Sequence, residues 1–175
     1  MGEKDMEVYI NKKSIQKRVK DLSMSIRYDY CTKDALFVCV LKGSIHFTSD
    51  LLRKINLNTP IEFIRVESYV GMKQMDHLRV ISFLSRNDIE GKDILIIEDI
   101  VDSGRTLNEI IFYFASLNAK SIEICTLLDK PLARKVKTII PKYIGFSIEN
   151  KFVVGYGLDY NEKFRNLDDI MICEE

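Results

Sequence analysis

The order of apolar segments in this chain predicts an α/β fold with a central, mostly parallel sheet flanked by helices. Residues 35–41 and 94–97 are continuous apolar runs, as expected of strands buried on both faces of a parallel sheet. Segments with helical periodicity follow such runs, so strand and helix alternate along the chain. With only three prolines and eight glycines in 175 residues, no linker is long enough to split the chain into separate domains.

The elements follow in order. Ile15, Val19, Leu22 and Ile26 share one helical face, which predicts a helix over residues 14–26 with Ser14 as its N-cap. The strand 35–41 stops at Lys42-Gly43-Ser44, and a second helix is expected over 45–54. Strands are expected over 62–68 and 79–83, separated by a polar, irregular segment over 69–77. After the Gly91-Lys92-Asp93 turn comes the short strand 94–97, then a loop over 98–105. A helix starting near Thr106 carries Leu107, Ile110, Ile111, Phe114 and Leu117 on one face. Further strands are expected over 121–128, 143–148, 152–156 and 170–173.

Charge and composition exclude several classes. Basic and acidic residues balance at 26 each, which gives no broad cationic field for nucleic acid or a membrane surface. No apolar run approaches the ~20 residues needed to span a bilayer, and the first 13 residues are too polar for a signal peptide. Cys31, Cys39, Cys125 and Cys173 are widely spaced and lack histidine companions, which argues against a zinc site or a disulfide framework. The expectation is a reducing compartment, the cytoplasm. His46 and His77 are isolated and read as structural or solvated.

The segment Glu98-Asp99-Ile100-Val101-Asp102-Ser103-Gly104-Arg105-Thr106 leaves the carboxyl end of a strand and opens a helix. Ligands of open α/β sheets bind at that edge. Small and hydroxylated residues at a helix start form an anion site, with phosphate the natural guest. Three carboxylates in the same loop need separate explanation. Glu98 and Asp99 could hold sugar hydroxyls or a substrate-borne Mg²⁺, and Asp102 could exchange a proton with a base. Spacing alone slightly favours a plainer reading, a solvated acidic turn capped by Ser103. The loop lacks the Gly-Lys-Ser/Thr ending of a Walker loop, and Gly155-Tyr156-Gly157 lacks the third glycine of a dinucleotide fingerprint.

Residues 96–106 resemble the phosphoribosyl-pyrophosphate motif of type I phosphoribosyltransferases, most closely the hypoxanthine-guanine enzymes. Val40-Leu41-Lys42-Gly43-Ser44, Leu127-Leu128-Asp129-Lys130-Pro131, Lys151-Phe152-Val153-Val154-Gly155-Tyr156-Gly157-Leu158-Asp159-Tyr160-Asn161-Glu162 and Phe164-Arg165-Asn166-Leu167 resemble that family too, in the right order. The resemblance runs from about Val8 to the C-terminus. It implies a type I phosphoribosyltransferase fold in one domain over 1–175. The core would span about 35–140, with a small hood built from about 1–34 and 141–175.

The family transfers 5-phosphoribosyl from phosphoribosyl pyrophosphate to N9 of a purine with Mg²⁺, and the site residues follow from the resemblance. Asp102, Ser103, Gly104, Arg105 and Thr106 would cradle the 5′-phosphate. Glu98 and Asp99 would contact ribose hydroxyls. Asp102 would be the general acid/base at N7, a role that a neighbouring phosphate favours by raising its pKa. Lys42 and Gly43, joined to Leu41 by a peptide that can be cis, and Arg165 would bind pyrophosphate. Lys130 would donate to the purine 6-oxo group, which favours hypoxanthine or guanine over adenine. Phe152 would stack on the base, Val153 would offer backbone groups, and the Leu158 carbonyl could accept from a 2-amino group. Asp159, with Glu98 and Asp99, would hold Mg²⁺.

Ser68 and Tyr69 would begin a mobile lid, here continued by an unusually bulky, charged Val70-Gly71-Met72-Lys73-Gln74-Met75-Asp76-His77. Asn150 stands where an aspartate is common, and residues 83–88 also depart from the family pattern. Without the resemblance Lys42 and Arg165 read as surface charges, Lys130 as a strand-end lysine beside a proline turn, and Phe152 and Val153 as core. The family's oligomers imply a homodimer or homotetramer. A nucleic-acid-binding regulator on the same fold would want a basic face, which the balanced charge does not supply. A xanthine preference turns on the 2-position contacts and stays open.

Overall fold

The computed structural model describes residues 6–70 and 76–173. A six-stranded sheet carries the fold, in the order β4-β3-β2-β5-β6-β7. Its strands are β2 (Ala35–Leu41), β3 (Ile61–Val70), β4 (Asp76–Ile81), β5 (Asp93–Val101), β6 (Ser121–Asp129) and β7 (Tyr143–Ser147). All neighbours pair in parallel except the β3–β4 hairpin. A three-stranded antiparallel sheet, β1-β9-β8, joins β1 (Met6–Ile10) to β8 (Val153–Val154) and β9 (Ile170–Cys173). The expected α/β class is present, and the hood expected from the two chain ends takes the form of this small sheet.

Strand alternation divides the larger sheet's side chains between two cores. Phe37 of β2, Leu95 and Ile97 of β5, and Cys125 and Leu127 of β6 pack with helices α1 (Lys12–Tyr30) and α2 (Ile45–Ile55). Leu36, Val38, Val40, Ile94, Ile96 and Ile124 face the opposite way, against α4 (Arg105–Ser116) and the short α3 (Arg86–Ile89). α1 therefore belongs to the layers of the larger sheet, and of the described residues up to 34 only β1 joins the smaller one. The α1/α2 core runs on through Val153, Tyr156, Leu158 and Ile170, so the small sheet has no separate core.

Several boundaries differ from expectation. α1 starts earlier than residue 14: Asn11 is the N-cap, and its side chain accepts from Ser14 N at 2.9 Å. Ser14 is the third helical residue and supplies the capped amide. β3 and β4 extend further towards each other, with Tyr69 opposite His77 and Val70 opposite Asp76. Ser68 and Tyr69 are thus strand residues of β3, and of the expected lid residues 71–75 lie outside the described residues. β5 runs to Val101, so Glu98 and Asp99 stand on a strand and not in a loop.

Polar contacts fix α1 to its neighbours. Arg18 donates to the carbonyls of Gly145 and Ile144, both at 2.7 Å. Arg27 donates to the carbonyls ending α2, Ile55 at 3.0 Å and Asn56 at 2.6 Å. Asp29 accepts from the Tyr143 hydroxyl at 2.6 Å and pairs with Lys142 at 3.1 Å. The tyrosine hydrogen bond, then the lysine, lowers the Asp29 pKa below its ordinary 3.8. A carboxylate with a depressed folded-state pKa stabilises the fold above the unfolded value and loses that contribution as pH falls through the folded one. Asp29→Asn is therefore expected to lower the thermal midpoint most at neutral pH. The gap to the wild type should narrow below about pH 4. A gap independent of pH in melts from pH 7 to pH 2.5 would contradict this.

Candidate active site

The carboxyl ends of the parallel strands open into a cleft of about 360 Å³. Its walls include Lys42, Gly43, Glu98, Asp99, Asp102, Ser103, Gly104, Thr106, Asp159 and Arg165. Ten expected site residues, scattered from 42 to 165, are thus brought to one place. Arg105 is exposed and its side chain lines no part of the cleft, which leaves only its backbone for the expected anion contact. Phe152, Val153 and Leu158 also lie outside the lining. Phe152 is half-exposed and meets the Tyr160 ring edge-on at 5.7 Å, while Val153 and Leu158 are buried. The Leu158 carbonyl already accepts from Gly155 N at 3.0 Å and keeps one lone pair for another donor.

The floor of the cleft is a close meeting of backbones. The Leu41–Lys42 peptide is cis. A Cβ on Gly43 would collide with the Asp99 carboxylate, and one on Gly157 would collide with the Gly43 carbonyl oxygen. Gly157 has φ +106°, which disfavours other residues independently of that collision. Gly157 and Arg165 lock together: Gly157 N donates to the Arg165 carbonyl at 2.9 Å, and the Arg165 guanidinium donates to the Gly157 carbonyl at 2.8 Å.

Charge is concentrated here. Burial, then repulsion from Asp99, pushes the Glu98 carboxyl well above its ordinary range. Burial also raises Asp99, against the opposing influence of its own hydrogen bonds and of Arg165. The pair therefore favours hydroxyl donors or a cation between its oxygens. Arg165 pairs with Asp159 at 2.7 Å and Glu162 at 3.3 Å, and its buried Nε has no partner among the described residues. Lys42 reaches the same Glu162 at 2.8 Å.

Lys130 also lies outside the cleft lining; it is buried, with Nζ 3.5 Å from Asp102 Oδ2, the other side chain expected to touch the base. His46 packs against Tyr156, with ring centroids 6.1 Å apart.

Three residues went unassigned in the sequence. Glu162 sits inside a quoted motif, but its link to both Lys42 and Arg165 depends on the tertiary fold. Gly157 was weighed against a dinucleotide fingerprint and stands within the family motif without a role of its own; a glycine flanking an aromatic residue was the available signal for close backbone approach. Arg134 is buried, with partners both five residues away (Asp129, Ile139) and more than thirty away (Val101, Asp102), and no local pattern marks it.

Comparison with known proteins places this geometry. Residues 7–161 match the model of the phosphoribosyl transferase domain. The chain is 43% identical over 176 residues to a hypoxanthine-guanine phosphoribosyltransferase of Bacillus subtilis, covering 99% of this chain and 97% of the relative. It is 41% identical over 169 residues to the bifunctional protein TilS/HprT of Listeria innocua, where it spans 96% of its own length but only 26% of that protein. A crystal structure of a hypoxanthine phosphoribosyltransferase from Staphylococcus aureus superposes with a TM-score of 0.89 at 41% identity, covering 98% of this chain and 93% of that one.

The close approach at Gly43 has a measurable consequence. Gly43→Ala must displace the Asp99 carboxylate or the turn itself, an overpacking that costs typically ~1–3 kcal/mol. Urea denaturation should report a lower midpoint with an unchanged slope. A midpoint equal to the wild type would show that the turn yields freely.

Proposed function

This chain belongs to the phosphoribosyltransferase family, and on that premise we propose that it is a purine salvage enzyme. It transfers 5-phosphoribosyl from phosphoribosyl pyrophosphate to N9 of hypoxanthine or guanine, giving IMP or GMP and pyrophosphate. The observation that carries the choice of base is Lys130 Nζ at 3.5 Å from Asp102 Oδ2. A 6-oxopurine presents its O6 acceptor beside N7–H, and an ammonium beside a carboxylate complements both. Adenine presents an amino donor where Lys130 can only donate. Xanthine shares the 6-oxo edge and differs only at the 2-position.

The chemistry follows from the residues. N9 forms its bond to C1′ as the C1′–oxygen bond breaks and pyrophosphate departs with the electron pair. The N7 proton passes to Asp102. Glu98 and Asp99 accept from the ribose hydroxyls and place negative charge beside the cationic, oxocarbenium-like sugar. Ser103, Gly104, Thr106 and the Arg105 backbone hold the 5′-phosphate. Lys42, Gly43 and Arg165 hold pyrophosphate, and the unpartnered Arg165 Nε supports this. Phe152 and Val153 complete the base site, with the Leu158 carbonyl available to a 2-amino group. Lid closure at Ser68 and Tyr69 would exclude water from the sugar cation.

Mg²⁺ fits as a substrate-borne ion. Among the described residues, no three His, Cys, Asp or Glu side chains converge as a cage. The buried Glu98 and part-buried Asp99 carboxyls, both shifted up, offer only hard oxygen donors. Asp159, Glu98 and Asp99 would supply carboxylate oxygens to an ion that pyrophosphate also ligates. Bound there, it would offset charge on the leaving group.

Assembly as a homodimer or homotetramer belongs to the same proposal, supported by exposed Ile61, Phe63 and Ile81 on the β3–β4 hairpin. Cytoplasmic action is supported by four free cysteines. Among the described residues, no helix is long and apolar enough to cross a membrane.

The protein mixed with phosphoribosyl pyrophosphate, Mg²⁺ and each base is expected to form nucleotide from hypoxanthine or guanine and not from adenine. Absence of turnover with every 6-oxopurine would sink the proposal. Asp102→Asn is expected to lower kcat by about 10²–10⁴-fold, with a smaller change in affinity for phosphoribosyl pyrophosphate. An equal loss of both would remove its proton-transfer role.

A further inference from the structure

Three successive carbonyls of the 101–104 loop are held by one neighbouring segment. Val101 O accepts from Lys130 N at 2.9 Å, and Ser103 O accepts from Lys135 N and Val136 N, both at 3.0 Å. The middle carbonyl, Asp102 O, accepts from a side chain, Arg134 Nε, at 3.0 Å. The same guanidinium reaches Val101 O at 3.4 Å and also bonds the Ile139 carbonyl. Its charge is met by the Asp129 carboxylate at the end of β6, in an ion pair of which both side chains are only 7% exposed.

In a trans peptide the carbonyl and the following N–H point in opposite directions. Holding the carbonyls of Val101, Asp102 and Ser103 towards the 130–139 segment therefore turns the N–H groups of Asp102, Ser103 and Gly104 away from it. Asp102, Ser103 and Gly104 all line the cleft. Gly104 has φ +82°, and a Cβ there would stand 2.9 Å from Arg134 Cδ, so the turn and the arginine are fitted to one another. Arg134 itself lines no part of the cleft.

We propose that Arg134, oriented by Asp129, is the positioning residue that aims the loop amides at the 5′-phosphate of the substrate. The planar guanidinium presents donors in several fixed directions at once, which a lysine ammonium on a flexible stem does not reproduce. Lys130 leaves the same segment, so the arginine also ties the phosphate loop to the element expected to read the base. The proposal rests on the transferase reading above.

Arg134→Lys retains the charge opposite Asp129 and loses the fork. Its KM for phosphoribosyl pyrophosphate is expected to rise at least about tenfold, as expected for loss of a charge-assisted hydrogen bond, with the KM for hypoxanthine nearly unchanged. Competitive inhibition locates the effect. The inhibition constant of ribose 5-phosphate should rise in parallel, while that of pyrophosphate should not. If Arg134→Lys does not accumulate as folded protein, Asp129→Asn is expected to give the same selective pattern at smaller amplitude. Parallel weakening of ribose 5-phosphate and pyrophosphate, or a lowered melting temperature with all constants unchanged, would overturn the positioning role. A wild-type protein that turns over no 6-oxopurine would instead remove the functional reading on which it rests.

Discussion

β5 is hydrogen-bonded in parallel to β2 on one side and to β6 on the other, and that pairing places the candidate site residues at the ends of these three strands. Parallel register brings the carboxyl ends of the three strands to one edge. The Lys42–Gly43 turn follows β2, the carboxylates end β5, and Lys130 follows β6. Residues far apart in the chain become neighbours because their strands stop together. The same geometry imposes a backbone constraint. Beyond the last ladder pair, carbonyls and amides need other partners. The 130–136 segment satisfies one side of the loop after β5, and the proposed function assigns the amides on the other side to the phosphate. The proposed anion site is in that reading a product of sheet pairing as much as of the loop's own residues.

The electrostatic arrangement follows from burial at that edge. Glu98 and Asp99 are held where desolvation disfavours their charge, and the turn at Gly43 presses against Asp99 without room for a side chain. The opposing cations are already engaged. Arg165 is shared among Asp159, Glu162 and the Gly157 carbonyl, and Lys42 reaches Glu162. Glu162 therefore stands between the two side chains proposed to hold pyrophosphate. Its exposed pairs belong to a class that is weak and readily exchanged, so an incoming polyanion can replace it with little loss. The buried pair, Arg134 with Asp129, is of the other kind. Breaking it would leave a charge stranded in the interior, and it holds the backbone and not the ligand.

The fold was legible where local pattern and tertiary packing agree. β2 reads as a two-faced apolar run because both of its faces are covered, and α4 shows a clean stripe because only one of its faces is. β1 was not foreseen. Its five residues pair with β9 at the far end of the chain, and nothing local distinguishes Met6–Ile10 from an extended tail. β5 was cut short at Ile97 because Glu98 and Asp99 look like loop residues. They continue the strand because β6 supplies partners as far as Asp129. In the site, Lys42, Glu98, Asp99, Asp102, Asp159 and Arg165 were legible through a long motif resemblance. Physical reading alone stopped at a phosphate loop with unexplained acids. Arg105 was carried over as part of that motif, and its exposed side chain is not part of the cleft lining. Arg134 was invisible because its role lies in contacts that only the folded loop creates.

Recognition of the sugar donor and of the base falls on different elements in this reading, and the transferred group must satisfy both at once. The proposed phosphate loop continues β5, while Lys130 follows the neighbouring β6. Two strands in one sheet set the distance between them only as well as their termini are held. Lys130 N bonds Val101 O, Arg134 bonds Val101 O and Asp102 O, and Asp129 of β6 anchors Arg134. These contacts span the gap between the two strand ends with a rigid planar cation in place of flexible backbone. Asp102 is where the two demands meet. Its carbonyl is fixed by Arg134 and its carboxylate faces Lys130, so the residue proposed to exchange the purine proton is held from the donor side and aimed from the base side. Reaction in such a site depends on reacting atoms being presented within a fraction of an ångström, and a buried ion pair behind the loop supplies that stiffness without touching either substrate.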